Sequence, residues 1–178
     1  MRSFTKQADG AAVRGPAREE WYVTDLGVGR VVVAGDLPLR LDLPDPDTAA
    51  PAGAGPSGLW ARLLERYFAG EHVAFDLDVD AYAAAHGFTD FERDVYRALA
   101  RVPYGTAVSY RELAAAAGRP HAYRAVGSAM ARNPLPVILP CHRVVRNDGR
   151  LGQYGDDPAW KERLLALEGV PVADGRLM

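Results

Sequence analysis

The segment PCHRVVR, residues 140 to 146, contains the only cysteine of the chain, Cys141, set between a proline and a histidine. Such a thiol can be buried and inert, bind a metal, or act as a nucleophile. A single cysteine supplies neither an internal disulfide nor the two or four thiolates of a thiolate-rich zinc centre. Its neighbours suit a nucleophile. Pro140 restrains the backbone ahead of the sulfur, Arg143 and Arg146 make the surroundings electropositive, and His142 can relay the thiol proton directly or through one water. Adjacent residues of a regular strand point to opposite faces, so a direct Cys141–His142 pair demands an irregular backbone. The imidazole also gains from a carboxylate that fixes its tautomer. Glu168, at the end of the last helical pattern, is nominated, with Asp148, Asp156 and Asp157 left open by spacing alone. A Cys-His-acid group equally serves a hydrolase.

The rest of the chain must position these groups and bring them a substrate. Its 178 residues, 48% apolar and 25% charged, suffice for one core or two small ones in a globular protein. The lone cysteine favours a cytoplasmic location, and no apolar run has the length of a signal peptide or a bilayer crossing, so neither export nor a membrane is expected. The net charge of -2 conceals a division: residues 1–90 carry 8 basic and 14 acidic groups, whereas the window 101–150 carries 8 basic and 2 acidic. That window is a candidate polyanion-binding face.

Residues 21–42 read as short strands, with turns at Gly27 to Gly29 and near Gly35 and Asp36. A flexible connection follows near 43–58. LWARLLERYFAG then places Leu59, Leu63, Leu64 and Tyr67 at helical spacing, and AFDLDVD suggests an edge strand. Thr89 is placed to cap a helix with a Phe91, Val95, Leu99 and Val102 stripe. Ser109 with Glu112 opens SYRELAAAAG, which stops at Gly118, and RPHAYRAVGSAMARN forms a second helix after a short turn. Two helices joined this way, in the most basic window, make a helix-turn-helix candidate; an ordinary helical corner gives the same pattern. NDG, 147–149, has turn chemistry, and WKERLLALEG returns to a helical stripe through Trp160, Leu164 and Leu167.

In order and spacing, PYGTAVSYRELAAAAG (103–118), RAVGSAMARNP (124–134), PCHRVVRNDG (140–149) and LLALEG (164–169) closely resemble the carboxyl-terminal domain of the O6-alkylguanine-DNA alkyltransferases, the methylated-DNA:protein-cysteine methyltransferase family. The resemblance covers about residues 88 to 170 and implies an α/β protein: a small N-terminal α/β domain, 1–87, followed by a mainly helical, winged-helix-like DNA-binding and catalytic domain, 88–178. It implies a monomer without a cofactor that flips an alkylated guanine out of double-stranded DNA and moves the alkyl group irreversibly onto its own cysteine. Base extrusion is physically required, because the O6 substituent of a stacked guanine cannot meet a recessed sulfur.

Laid onto this sequence, the resemblance makes Cys141 the acceptor, His142 its water-linked base, and Glu168 the group that orients His142. Asn133 ties the turn after the second helix to the active-site segment. Tyr110 crowds the flipped nucleotide's phosphate and donates to the departing guanine. Arg124 enters the stack in place of the extruded base, on a helix expected in the minor groove whose small residues Ala125, Gly127 and Ser128 permit close approach to DNA. The carbonyls of Cys141 and Val144 read the guanine's amine, while Tyr154 and Gly155 line the pocket. The chain departs from the family pattern after Tyr154. Where relatives have a small residue and two glycines, it reads GDDP, placing Asp156 and Asp157 near the phosphate-binding surface. With His72 and His86 as the histidines of the amino-terminal half and no cysteine there, the structural zinc of some relatives is not expected. The resemblance leaves two other readings to weigh: a lesion-binding relative that does not transfer, whose known forms replace the cysteine, and a helix-turn-helix regulator, which leaves PCHRV unexplained.

Overall fold

The computed structural model describes residues 15–53, 58–155 and 157–178. Three strands, β1 (Ala17–Thr24), β2 (Gly27–Ala34) and β3 (Leu37–Asp45), form an antiparallel meander in the order β1-β2-β3. The first turn falls at Asp25 and Leu26, not at Gly27 to Gly29: Gly27 already pairs with Thr24, and Gly29 lies inside β2 opposite Tyr22. Gly29 is there for space, since a Cβ at that position would sit 2.1 Å from Cζ of the fully buried Tyr22 ring. The second turn is at Gly35 and Asp36, as the sequence indicated. Strand β3 runs through Asp45, so the connecting segment begins later than residue 43; its residues 54–57 lie outside the described residues.

Helix α1 (Leu59–Phe68) packs on β1, but its buried face is Trp60, Ala61, Leu64 and Tyr67. Leu59 is exposed and Leu63 only half-buried, so the stripe lies one residue away from the one Leu59 and Leu63 suggested. The reason sits on another element. The helix has no side-chain cap of its own; instead the buried carboxylate of Glu20 in β1 accepts hydrogen bonds from the amides of Trp60 (3.1 Å) and Ala61 (3.2 Å) and fixes how the helix faces the sheet. Gly58 makes room for that carboxylate, because a Cβ there would lie 1.6 Å from Cδ of Glu20.

Residues 71–78 form no strand. The acid expected on a strand's outer face caps a helix: Asp78 accepts from the amides of Asp80 and Ala81 at the start of α2 (Val79–His86). Helix α2 packs on both β3 and α3 (Asp90–Ala100), joining the sheet to the helical half. Complete capping boxes open α3, through Thr89 and Glu92, and α4 (Tyr110–Ala116), through Ser109 and Glu112. Helix α5 (Tyr123–Ala131) follows α4 after a short turn and packs against it, giving the helix-turn-helix outline. A two-residue parallel pairing of β4 (Val108–Ser109) with β5 (Val144–Val145) sets the start of α4 beside the cysteine segment. Helix α6 (Ala159–Leu167) and the hairpin of β6 (Val172–Ala173) with β7 (Arg176–Leu177) complete the order. One apolar core runs from Tyr22 through Tyr67, Tyr96 and Leu139 to Leu164, so sheet and helices share an interior. No helix among the described residues is long and apolar enough to cross a membrane.

Candidate active site

Cys141 begins a single 3-10 turn, Cys141–Arg143, between the loop 134–140 and β5. This is the irregular backbone that lets consecutive side chains serve one site. The loop leading to it is tight: buried Val137 has φ 74°, a left-handed conformation for a β-branched residue that costs about 1–3 kcal/mol. Asn133, just past α5, holds the loop against that strain. Its Nδ2 donates to the carbonyl of Leu139 (2.8 Å) and to Cys141 Sγ (3.1 Å), and its Oδ1 accepts from the amide of Leu135 (3.0 Å). The Cys141 thiol also approaches the Tyr154 hydroxyl at 3.8 Å. Burial pushes the thiol above its ordinary pKa, while the Asn133 and Tyr154 hydrogen bonds and the Lys161 ammonium draw it back down.

Behind the sulfur, His142 is completely buried, and its Nε2 lies 2.7 Å from Glu168 Oε1. With a carboxylate accepting at Nε2, that nitrogen carries the proton and Nδ1 is left as the acceptor. Nδ1 is buried and has no hydrogen-bond partner among the described residues. Burial depresses the pKa of His142, opposed by its bond to Glu168, so the ring favours its neutral form. Among the described acids of those that sequence spacing left open, Glu168 is the one placed on His142. Its carboxylate is a hub rather than a simple orienting group. It accepts from Arg143 Nε (2.8 Å) and Nη2 (2.9 Å), from the Tyr67 hydroxyl (2.7 Å) and from the amide of Gly105 (3.1 Å). Burial opposes its ionisation, yet the hydrogen bonds from His142 and Arg143 and the charge of Arg143 prevail and hold it well below the usual carboxylate range.

In front of the sulfur lies a pocket of about 620 Å³ lined by Tyr110, Gly127, Asn133, Cys141, Tyr154 and Gly155 among others, with Leu43 of β3 forming part of its wall. Gly127 stands on the pocket side of α5, and Arg124, three residues earlier, is exposed one turn along the same face. Ala125 and Ser128 are also exposed, which leaves them available to a partner rather than spent on packing between helices. Tyr123 is flanked by the guanidinium groups of Arg124 (5.8 Å) and Arg111 (5.7 Å). The carbonyls of Cys141 and Val144 each already accept one hydrogen bond, from the Val144 amide and from Lys161 Nζ (2.5 Å), which leaves each a second lone pair. Asp157 lines the pocket mouth, where its carboxylate accepts from the Ala159 amide (2.9 Å); Asp156 lies outside the described residues.

Three contributors escaped the sequence reading. Tyr67 reads as a plain member of an apolar stripe. Arg143 reads as general positive charge, not as the bidentate partner of Glu168. Lys161 is buried beside the pocket, where burial pushes its pKa down to about 8 against the pull of Cys141. A lysine three and four residues ahead of Leu164 and Leu165, on the buried face of α6, was the signal available.

Residues 90–170 match the family model described as 6-O-methylguanine DNA methyltransferase, DNA binding domain, which defines the helical half as a unit of that class. A methylated-DNA–protein-cysteine methyltransferase of Mycolicibacterium paratuberculosis is 38% identical over 156 residues, covering 84% of this chain and 92% of its own length. One from Methanosarcina barkeri is 48% identical over 108 residues, covering 61% of this chain and 65% of its own. The crystal structure of Mycobacterium tuberculosis OGT in complex with DNA superposes with a TM-score of 0.67 at 33% identity, covering 85% of this chain and 92% of that one. The chain belongs to the methylated-DNA–protein-cysteine methyltransferase family.

Proposed function

We propose that this protein repairs double-stranded DNA by moving a methyl or other alkyl group from O6-alkylguanine onto Cys141, once per chain. The observation that carries the reading is the buried relay behind the pocket: a sulfur at its base, a neutral histidine with a bare Nδ1, and a carboxylate locked on the opposite nitrogen. A buried polar atom without a partner is costly, and a water between Nδ1 and Sγ resolves the cost while linking base to thiol. The thiol proton passes through that water to His142, the thiolate attacks the alkyl carbon in line, and the carbon–O6 bond breaks. The S–C bond replaces it, and the departing guanine takes a proton from the Tyr110 hydroxyl, which regains one from the relay. The thioether has no easily hydrolysed bond, so the acceptor is consumed.

Duplex recognition is assigned to α4 and α5, with Arg124 filling the vacancy of the flipped base and Ala125, Gly127 and Ser128 facing the DNA backbone. The carbonyls of Cys141 and Val144 meet the guanine's amine, and Tyr154 and Gly155 enclose the base. Residues 88–178 are the transferring unit and 1–87 an α/β support; the protein acts as a cytoplasmic monomer. Incubation with duplex DNA carrying O6-methylguanine should add one methyl group per intact chain by mass measurement, mapped to the Cys141 peptide. Repeated turnover, or methylation elsewhere with Cys141 free, refutes the assignment.

A further inference from the structure

Beside the Cys141 pocket lies a second cleft, about 570 Å³ in volume and polar in character, lined by three arginines, Arg146 and Arg150 from one turn and Arg176 from β7. Arg146 and Gly152 line both cavities, so the two are contiguous. The cleft has a fixed frame. Arg150 bridges Arg176 in antiparallel fashion, the Leu151 amide donates to the carbonyl of Gly175 (2.9 Å), and the Leu177 amide donates to that of Gly149 (2.9 Å). Arg176 is held in place by Nε and Nη2 bonds to the carbonyl of Asp148 (2.9 and 2.6 Å).

Among the described residues, two of the three guanidinium groups make no short internal contact. Arg146 Nε and Arg150 Nε stand 3.7 and 3.8 Å from the Asp148 carboxylate, beyond good hydrogen-bond length, on side chains more than half exposed. Asp174 is the acid that lines the cleft and Asp148 stands beside it, so three guanidinium groups are set against two exposed carboxylates. An anion with several oxygens, entering between the arginines, offers Arg146 and Arg150 a fork that neither now has, beside the guanidinium of Arg176 that the Asp148 carbonyl holds in place. A nucleotide seated in the Cys141 pocket remains joined to its strand on both sides, and the rim that the two cavities share offers one side of that strand a course along the arginines.

We infer that Arg150 and Arg176, assisted by Arg146, form a phosphate clamp for the strand carrying the lesion, where the 146–150 turn meets β7 and outside the helix-turn-helix. The inference rests on the proposed function. The test is binding of undamaged duplex DNA across a salt series by wild type and R150Q/R176Q, with transfer from free O6-benzylguanine measured in parallel. The slope of log affinity against log salt should become shallower by roughly one to two units, at about 0.9 per lost phosphate contact. Free-base transfer should match wild type, since neither residue lines the Cys141 pocket. An unchanged slope overturns the clamp. Should the double variant misfold, R150Q alone decides, because the Arg150 head group makes no short contact: its slope must fall by about one unit or the clamp is wrong. A wild-type protein that binds duplex DNA but transfers nothing defeats the repair reading instead, and the slope still reports on the clamp.

Discussion

At Cys141 two demands conflict. Burial protects the sulfur and raises its pKa, whereas displacement at carbon needs the thiolate. The Asn133 amide is the shortest direct contact to Sγ, at 3.1 Å, and a donor to sulfur favours the charged form. Removing it must therefore raise the thiol pKa further. For N133A the pH profile of transfer from free O6-benzylguanine should shift to higher pH by about one unit, since a hydrogen bond to a charged group contributes about 1.5–3 kcal/mol and one pKa unit is about 1.4 kcal/mol. Near neutrality the rate should fall several-fold and recover on the alkaline side. A lower rate with an unshifted profile means that Asn133 acts only through its bonds to Leu135 and Leu139, as a brace for the loop.

At the scale of elements, the helices whose caps are local were legible in the sequence. Thr89 with Glu92 and Ser109 with Glu112 each satisfy helix amides within three residues, and both boxes are present. Misreadings arose where the deciding partner is remote or serves two purposes: Glu20 reaches α1 from some forty residues earlier, and Asp78 belongs to a helix start instead of a strand. Helix α5 was legible as an element, but the face it turns to the pocket becomes visible only where Gly127 borders it. Arg124, one turn earlier on that face, yields a prediction about the element's role. R124A should impair transfer from duplex DNA far more than reaction with free O6-benzylguanine, because only the duplex has a vacancy to fill. The loss should persist in single-turnover experiments at saturating protein, with a fluorescent base analogue beside the lesion reporting reduced flipping. Wild-type flipping and transfer at saturation reduce Arg124 to an electrostatic anchor.

The molecule as a whole converges on Glu168. Donors reach its carboxylate from α1, from the 3-10 turn and from the loop after α3, and the Tyr67 bond spans 101 positions of sequence. No local pattern could show that contact, which is why the amino-terminal half was legible as a small α/β unit but not as a contributor to the site. Glu168 is also the counter-charge of buried Arg143, so E168Q removes more than a relay member. It should destabilise the fold by about 3–5 kcal/mol, the usual consequence of stranding a buried charge. Because the folded-state pKa of Glu168 is depressed, its contribution is present above the unfolded value of about 4.3 and fades as pH falls toward the folded one. E168Q should therefore be less stable at neutral pH and less sensitive to acid below about pH 4. Y67F is the milder probe, since it deletes one neutral donor and leaves His142 and Arg143 on the carboxylate. It should cost about 1–2 kcal/mol. Transfer from free O6-benzylguanine should stay within about threefold of wild type, on the order of 0.6 kcal/mol in barrier. The shared core further requires that both halves unfold in one urea transition for wild type and Y67F alike. Two separated transitions, or a Y67F as stable as wild type, would show that the sheet half merely adjoins the site.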